Sequence, residues 1–146
     1  MIQRKQTLWL FLAALLGAGV FYFDLYTAHS MIGGIDTVNR LRVADNFPSL
    51  LLAIIMCALP LISIFMFQHR KRQVNLTMIS MVATAGFIAL TLWRVPDFLS
   101  HLPAPATSSN YWIGSVLPVI AFVFLILAIV GVRRDEKLVR SVDRLR

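Results

Sequence analysis

The sequence predicts an all-α integral membrane protein, four transmembrane helices followed by a short cytoplasmic C-terminal amphipathic helix. Composition, the length of the uncharged stretches and the placement of basic residues carry that expectation. Of 146 residues, 58% are hydrophobic and 14% charged, against about 45–50% apolar and roughly 25% charged in soluble domains. A soluble fold of this size, a single domain over 1–146, would have too little polar surface to cover its core. The formal charge of +7 would point to nucleic acid in a soluble protein. Here the basic residues flank apolar stretches, so the expected anion is the lipid headgroup of a bilayer, with no nucleic acid partner.

Four stretches reach spanning length: 8–26, with Asp24 near its end, 48–67, 75–93 and 111–132. A helix rising 1.5 Å per residue needs about 20 residues to cross ~30 Å of hydrocarbon. None alternates apolar with polar residues as a barrel strand does, and helices alone then satisfy the backbone in lipid. Eleven of the fourteen Lys and Arg residues lie at the N-terminus, in the 68–74 loop or in the tail 133–146. The opposite loops hold only Arg40, Arg42 and Arg94. This bias puts both termini in the cytoplasm of a bacterial inner-membrane protein. Trp9, Tyr22, Tyr26, Trp93, Tyr111 and Trp112 lie near span ends, as an aromatic belt requires.

The first span also resembles a signal peptide, with a cleavage site conceivable at Ala28-His29-Ser30. Its length and its bulky Phe21-Tyr22-Phe23 end favour an uncleaved helix. The 68–74 connection is short enough to make the second and third helices an antiparallel hairpin. In the first outer loop, 27–47, Gly33-Gly34 breaks any helix. Beyond it Ile35, Val38 and Leu41 recur at intervals of three, which suits a short helix in the headgroup plane, with a strand over 38–43 as the alternative. The Pro- and Ser-rich loop after Trp93 reads as an irregular cap. Small residues at Ala13/Gly17, Ala14/Ala18 and Ala85/Ala89 mark close helix approach. Pro60 and Pro118 each remove a donor and call for a kink or a relieving neighbour. The fourth span, bulky from Val119 to Val130, reads as the lipid-facing helix or a contact face.

Chemistry is sparse. Asp24 is the ionisable group closest to lying within a span; it reads as a carboxylate at interfacial water, or as a partner of Arg40, Arg42 or Arg94. His29, His69 and His101 fall in loops or at span ends, so no haem or zinc site is expected. Cys57 stands alone in mid-span and reads as a packing residue. No acidic pair, phosphate loop or nucleophile with its base is present, so catalysis and a bound cofactor are not expected.

The tail RRDEKLVRSVDRLR is different. On a helix, Leu138, Val139, Val142 and Leu145 form one apolar stripe, and Glu136–Arg140, Arg140–Asp143 and Asp143–Arg146 are paired. Such pairs contribute about 0.2–0.5 kcal/mol each, too little to hold so short a helix alone. Lipid, the cytoplasmic loop or another protein must cover the stripe. A plain topological stop signal would account for Arg133 and Arg134. It leaves Asp135, Glu136, Val139, Val142 and Asp143 unexplained, so the docking set is Arg133, Arg134, Asp135, Glu136, Val139, Arg140, Val142, Asp143 and Arg144.

The opening MIQRKQT, the F-x-x-R-K-x-Q of 67–73 and the tail motif R-R-D-E-x-L-V-R-S-x-D-R-L-R resemble a family of small four-helix membrane proteins of Bacteroidota classed as a domain of unknown function. The resemblance implies an inner-membrane location and four spans; it implies no activity, cofactor or substrate. An accessory or assembly component of a membrane complex, docking a membrane-protein partner or a second copy through its tail, is the expected role. A small oligomeric transporter or channel is the alternative, and polar residues lining the spans would be its mark.

Overall fold

The computed structural model describes residues 5–66 and 69–143. Four helices, α1 (Lys5–Gly19), α2 (Phe47–Phe65), α3 (Arg70–Ser100) and α4 (Ile113–Asp143), are joined by strands β1 (Tyr26–Ile32) and β2 (Ile35–Leu41) between α1 and α2, and β3 (Ala106–Tyr111) between α3 and α4. A 3-10 turn at Val43–Asp45 leads into α2, whose first turn is capped by Asn46 accepting from Ser49 N. Each helix packs on two neighbours, α1 on α2 and α4, α3 on α2 and α4.

The buried seam positions of all four helices recur at alternating steps of four and three, and Ala14, Ala83, Val95 and Ile129 are buried beside them. On α1 the seam positions are Gln6, Leu10, Ala13, Gly17 and, just past its end, Val20; on α2, Ser49, Ala53, Met56, Pro60 and Ser63. On α3 they are Gln73, Thr77, Ser80, Thr84, Phe87 and Thr91; on α4, Gly114, Pro118, Ala121, Leu125, Ala128 and Val132. A repeat of 3.5 residues keeps one face of a helix turned to its neighbours if the helices wind gently around each other. The outward faces are apolar, with Phe11 and Leu15 on α1, Ile54 and Ile62 on α2, Ile79 and Val82 on α3, and Val119 and Val123 on α4 all exposed. The outside is therefore as apolar as the inside, or more so, the reverse of a soluble bundle.

Among the described residues, three helices are long and apolar enough to cross a membrane: Phe47–Phe65, Lys71–Ser100 and Ile113–Arg134. The expected first span, 8–26, is not among them. α1 stops at Gly19, and Val20 to Phe23 turn back on its last carbonyls before β1 begins. Conversely, α3 runs on through Pro96 to Ser100, beyond the span of 75–93. α4 passes from its apolar stretch into the tail without a break, so the tail as far as Asp143 continues α4 and is not a separate helix.

The all-α expectation fails in the loops expected to lie outside, which form a three-stranded antiparallel sheet in the order β2-β1-β3. Gly33 and Gly34 both have positive φ, 60° and 82°, the turn that joins two strands with the twist of a hairpin. The expected helix over Ile35–Leu41 gives way because burial follows the strand period. Tyr26, Ala28, Ser30 and Leu41 face inward, and Tyr26 stands opposite Leu41 while Ser30 stands opposite Thr37. The supposed irregular cap supplies β3, which pairs with β1 from Tyr26↔Tyr111 to Ser30↔Ala106. The inner face of the sheet packs Tyr26, Ala28 and Leu41 onto Val95, Phe98, Leu99 and Leu102. That is why α3 overshoots: its last turns are the sheet's core.

Candidate functional site

Sheet and bundle join around Asp24. Its backbone carbonyl accepts from Gly114 N at 3.1 Å, at the start of α4. Leu25 N donates to Leu41 O and Trp112 N to Leu25 O, at 2.9 and 3.1 Å. Gly114 must be glycine here, since a Cβ would lie 2.5 Å from Asp24 O and 2.7 Å from Phe23 O. The buried Asp24 carboxylate accepts from Arg42 Nε at 2.7 Å and from Arg40 Nη1 at 3.3 Å. Of the two sequence readings, this is the pairing one; Arg94 instead donates to Ser49 Oγ at 3.3 Å. The hydrogen bond that Arg42 donates to Asp24, and then the carboxylate's charge, raise the pKa of the Arg42 guanidinium above its ordinary value. Both arginines remain about half exposed, so the cluster pins the loop and also presents cations at the surface.

Inside the bundle, buried polar residues are aligned. Gln73, Thr77, Ser80, Thr84 and Thr91 occupy one stripe of α3, interrupted by Phe87 and ending near Arg94. At 1.5 Å per residue the stripe covers about 30 Å, close to a hydrocarbon thickness. Its threonines turn back on their own helix: Thr77 to Gln73 O, Thr84 to Ser80 O and Thr91 to Phe87 O, each at 2.8 Å. That pattern satisfies hydroxyls in an apolar interior and bends the helix slightly. Ser63 Oγ joins α2 to the stripe through Gln73 O and Thr77 Oγ1. The stripe was readable as a heptad of Thr77, Thr84 and Thr91, a signal that counting polar residues passes over.

Some packing expectations hold. Ala13, Ala14 and Gly17 are buried, and a Cβ on Gly17 would lie 3.3 Å from Cys57 Cα. Cys57 Sγ donates to Ala14 O at 3.6 Å. At the other end Gln6 Nε2 donates to Gly131 O at 3.0 Å, joining α1 to α4. Others do not hold. Ala18, Ala85 and Ala89 are exposed, and α4 turns small residues, Ala121 and Ala128, inward rather than lacking them. Trp9 stacks on Phe124 at 5.5 Å, and Tyr26 is buried beneath the sheet. Tyr22, Trp93, Tyr111 and Trp112 remain exposed around the sheet end of the bundle. An apolar groove of about 440 Å³ opens between α3 and α4 there, lined by Ile88, Leu92, Tyr111, Val116 and Val119 among others.

In the tail, Arg133 and Arg134 are exposed on α4. Asp135, Glu136, Val139, Arg140, Val142 and Asp143 lie on its helical backbone, while their side chains, and Arg144 altogether, fall outside the described residues. Positions 139 and 142 continue the spacing of the buried positions Leu125, Ala128 and Val132. Among the described residues no group of three or more His, Cys, Asp or Glu could hold a metal ion. His29 pairs with Asp36 and His101 with Asp97, both exposed.

No curated protein and no solved structure matches the chain. A family model described as a domain of unknown function, DUF4293, matches residues 2–145, nearly the whole chain, and the protein belongs to that family.

Proposed function

We propose that this protein is a multi-pass component of a bacterial inner membrane, with all four helices crossing and both termini cytoplasmic, serving as an accessory or assembly subunit that docks a membrane-protein partner through its tail. The continuity of α4 carries the reading. Gln6, near the start of α1, meets α4 at Gly131, and positions 139 and 142 lie about 12 and 16 Å further along the helix. The same spacing passes through Asp135 between Val132 and Val139, so one acidic and two apolar positions carry the register past the point where Gln6 meets α4, and they call for cover from elsewhere. The apolar outward faces of the helices and the exposed aromatics at the sheet end support the membrane setting.

Affinity purification of the tagged protein in mild detergent tests the reading: a stoichiometric membrane partner supports it, and recovery of this chain alone counts against it. The polar stripe of α3 favours a second reading, a small oligomeric transporter or channel. Because the threonine hydroxyls are bonded to their own helix, that reading needs the bundle to open. Flux into proteoliposomes of the purified protein would reveal it.

A further inference from the structure

We propose that Ser80 and the main-chain carbonyl of Met56 share one buried water molecule in the middle of the bundle, a polar link between α3 and the proline break in α2. The bond between Ser63 Oγ and Thr77 Oγ1, 3.1 Å, fixes the register of the α2–α3 hairpin. One turn toward the sheet, the next buried positions are Pro60 and Ser80, which therefore face each other. Pro60 has no N–H, so the Met56 carbonyl four residues earlier loses its helical donor. That oxygen lies 3.5 Å from where a Cβ on Gly17 would stand, so it is turned toward a position that carries no side chain.

Ser80 is fully buried, and among the described residues its Oγ is the buried side-chain polar atom without a hydrogen bond. The stripe's three threonines all bond back to their own helix; Ser80, on the same stripe, does not. A donor and an acceptor, each deprived of its partner, thus lie within a turn of each other in an apolar interior. Leaving either unpaired is unfavourable, because the desolvation of a buried polar group is then not offset by a bond. Thr84 Oγ1, one seam position on, donates to Ser80 O and keeps acceptor capacity. Three polar partners are what a buried water takes. Gly17 and Ala121 stand level in this layer, because Gln6 meets Gly131 and Gly19 meets Leu117. The inference depends on the bundle alone, so failure of tail docking would leave it untouched.

A double-mutant cycle tests it. Reversible unfolding is compared for the wild type, Ser80→Ala, Pro60→Ala and the double variant; Pro60→Ala returns an N–H to the Met56 carbonyl. Ser80→Ala is expected to shift the unfolding equilibrium roughly fivefold toward the unfolded chain when Pro60 is present, and less than about twofold when it is replaced. An equal shift in both backgrounds would mean that Ser80 bonds its own helix, and would overturn the proposal. No shift, or a gain in stability, would mean an orphan hydroxyl and overturn it as well. Water-edited solid-state NMR of the serine-labelled protein in bilayers should detect water transfer to Ser80; its absence contradicts the link.

Discussion

Arg42 Nε donates to Asp24 Oδ1 at 2.7 Å, so a carboxylate just past the end of α1 holds the residue that leads into α2. Arg42's own backbone N–H is fixed three residues on by Asp45 Oδ2, also at 2.7 Å. The crossing from sheet to second helix is thus clamped from both sides. Arg40 adds a second, longer bond to the same carboxylate.

Removing the arginines should therefore hurt through the aspartate they leave behind. Arg40→Ala should lower the unfolding midpoint least, Arg42→Ala more, and the double change most, because a buried carboxylate is then uncompensated. Adding Asp24→Asn to the double variant should restore part of the loss. Unfolding midpoints of the four chains check the order. Further destabilisation on adding Asp24→Asn would mean that the carboxylate is stabilised by something other than these two cations.

Gly114 and Gly86 make an opposed pair. Gly114→Ala places a methyl 2.5 Å from a backbone oxygen and should cost about 3 kcal/mol or prevent accumulation. At Gly86 the nearest atom to an added methyl is Leu52 Cδ1 at 3.9 Å, so Gly86→Ala should gain up to about 1 kcal/mol from helix propensity. Similar effects at both sites would show that the Asp24–Gly114 approach is not tight in the folded protein.

How much of this was legible depended on which residues carried the signal. Helix α2, and the apolar part of α4, could be read from uncharged length, because a spanning helix needs little else. The sheet could not: Ile35, Val38 and Leu41 fit a period of three by coincidence, and only pairing with β1 and cover from Val95 and Phe98 decides for strand. The end of α1 was misplaced because Phe21, Tyr22 and Phe23 are apolar enough to extend a span. The chain turns there to deliver Asp24 to its arginines. At the tail, the apolar stripe was readable but its continuity with the buried face of α4 was not, since that face is defined only by what α1 and α3 cover.

Topology gives a prediction independent of any partner. Reporter fusions after Gln73 and Asp143 should report cytoplasm, and fusions after Ser30 and Ala106 the outside. An exterior signal from the Asp143 fusion would reverse the orientation that the basic residues imply.

Cys57 separates a closed bundle from an open one. It is half-buried beside Ala14, and a membrane-impermeant maleimide should label it only after denaturation. Ready labelling of the folded protein would reveal a water-filled path and raise the transporter reading above the docking one.

Docking by the tail is tested most directly by quantitative co-purification from native membranes, with the wild type set beside two variant sets. One replaces Asp135, Glu136 and Asp143 by Asn, Gln and Asn; the other is Val139→Asp with Val142→Asp. Arg133 and Arg134 are intact in both, so insertion should be normal, and the first set should even strengthen the inside signal because basic residues carry it. Both sets are expected to lose the partner, by tenfold or more if each removes about 1.4 kcal/mol of binding. Unchanged partners at unchanged abundance in both sets would contradict docking and leave the tail as a topological stop signal.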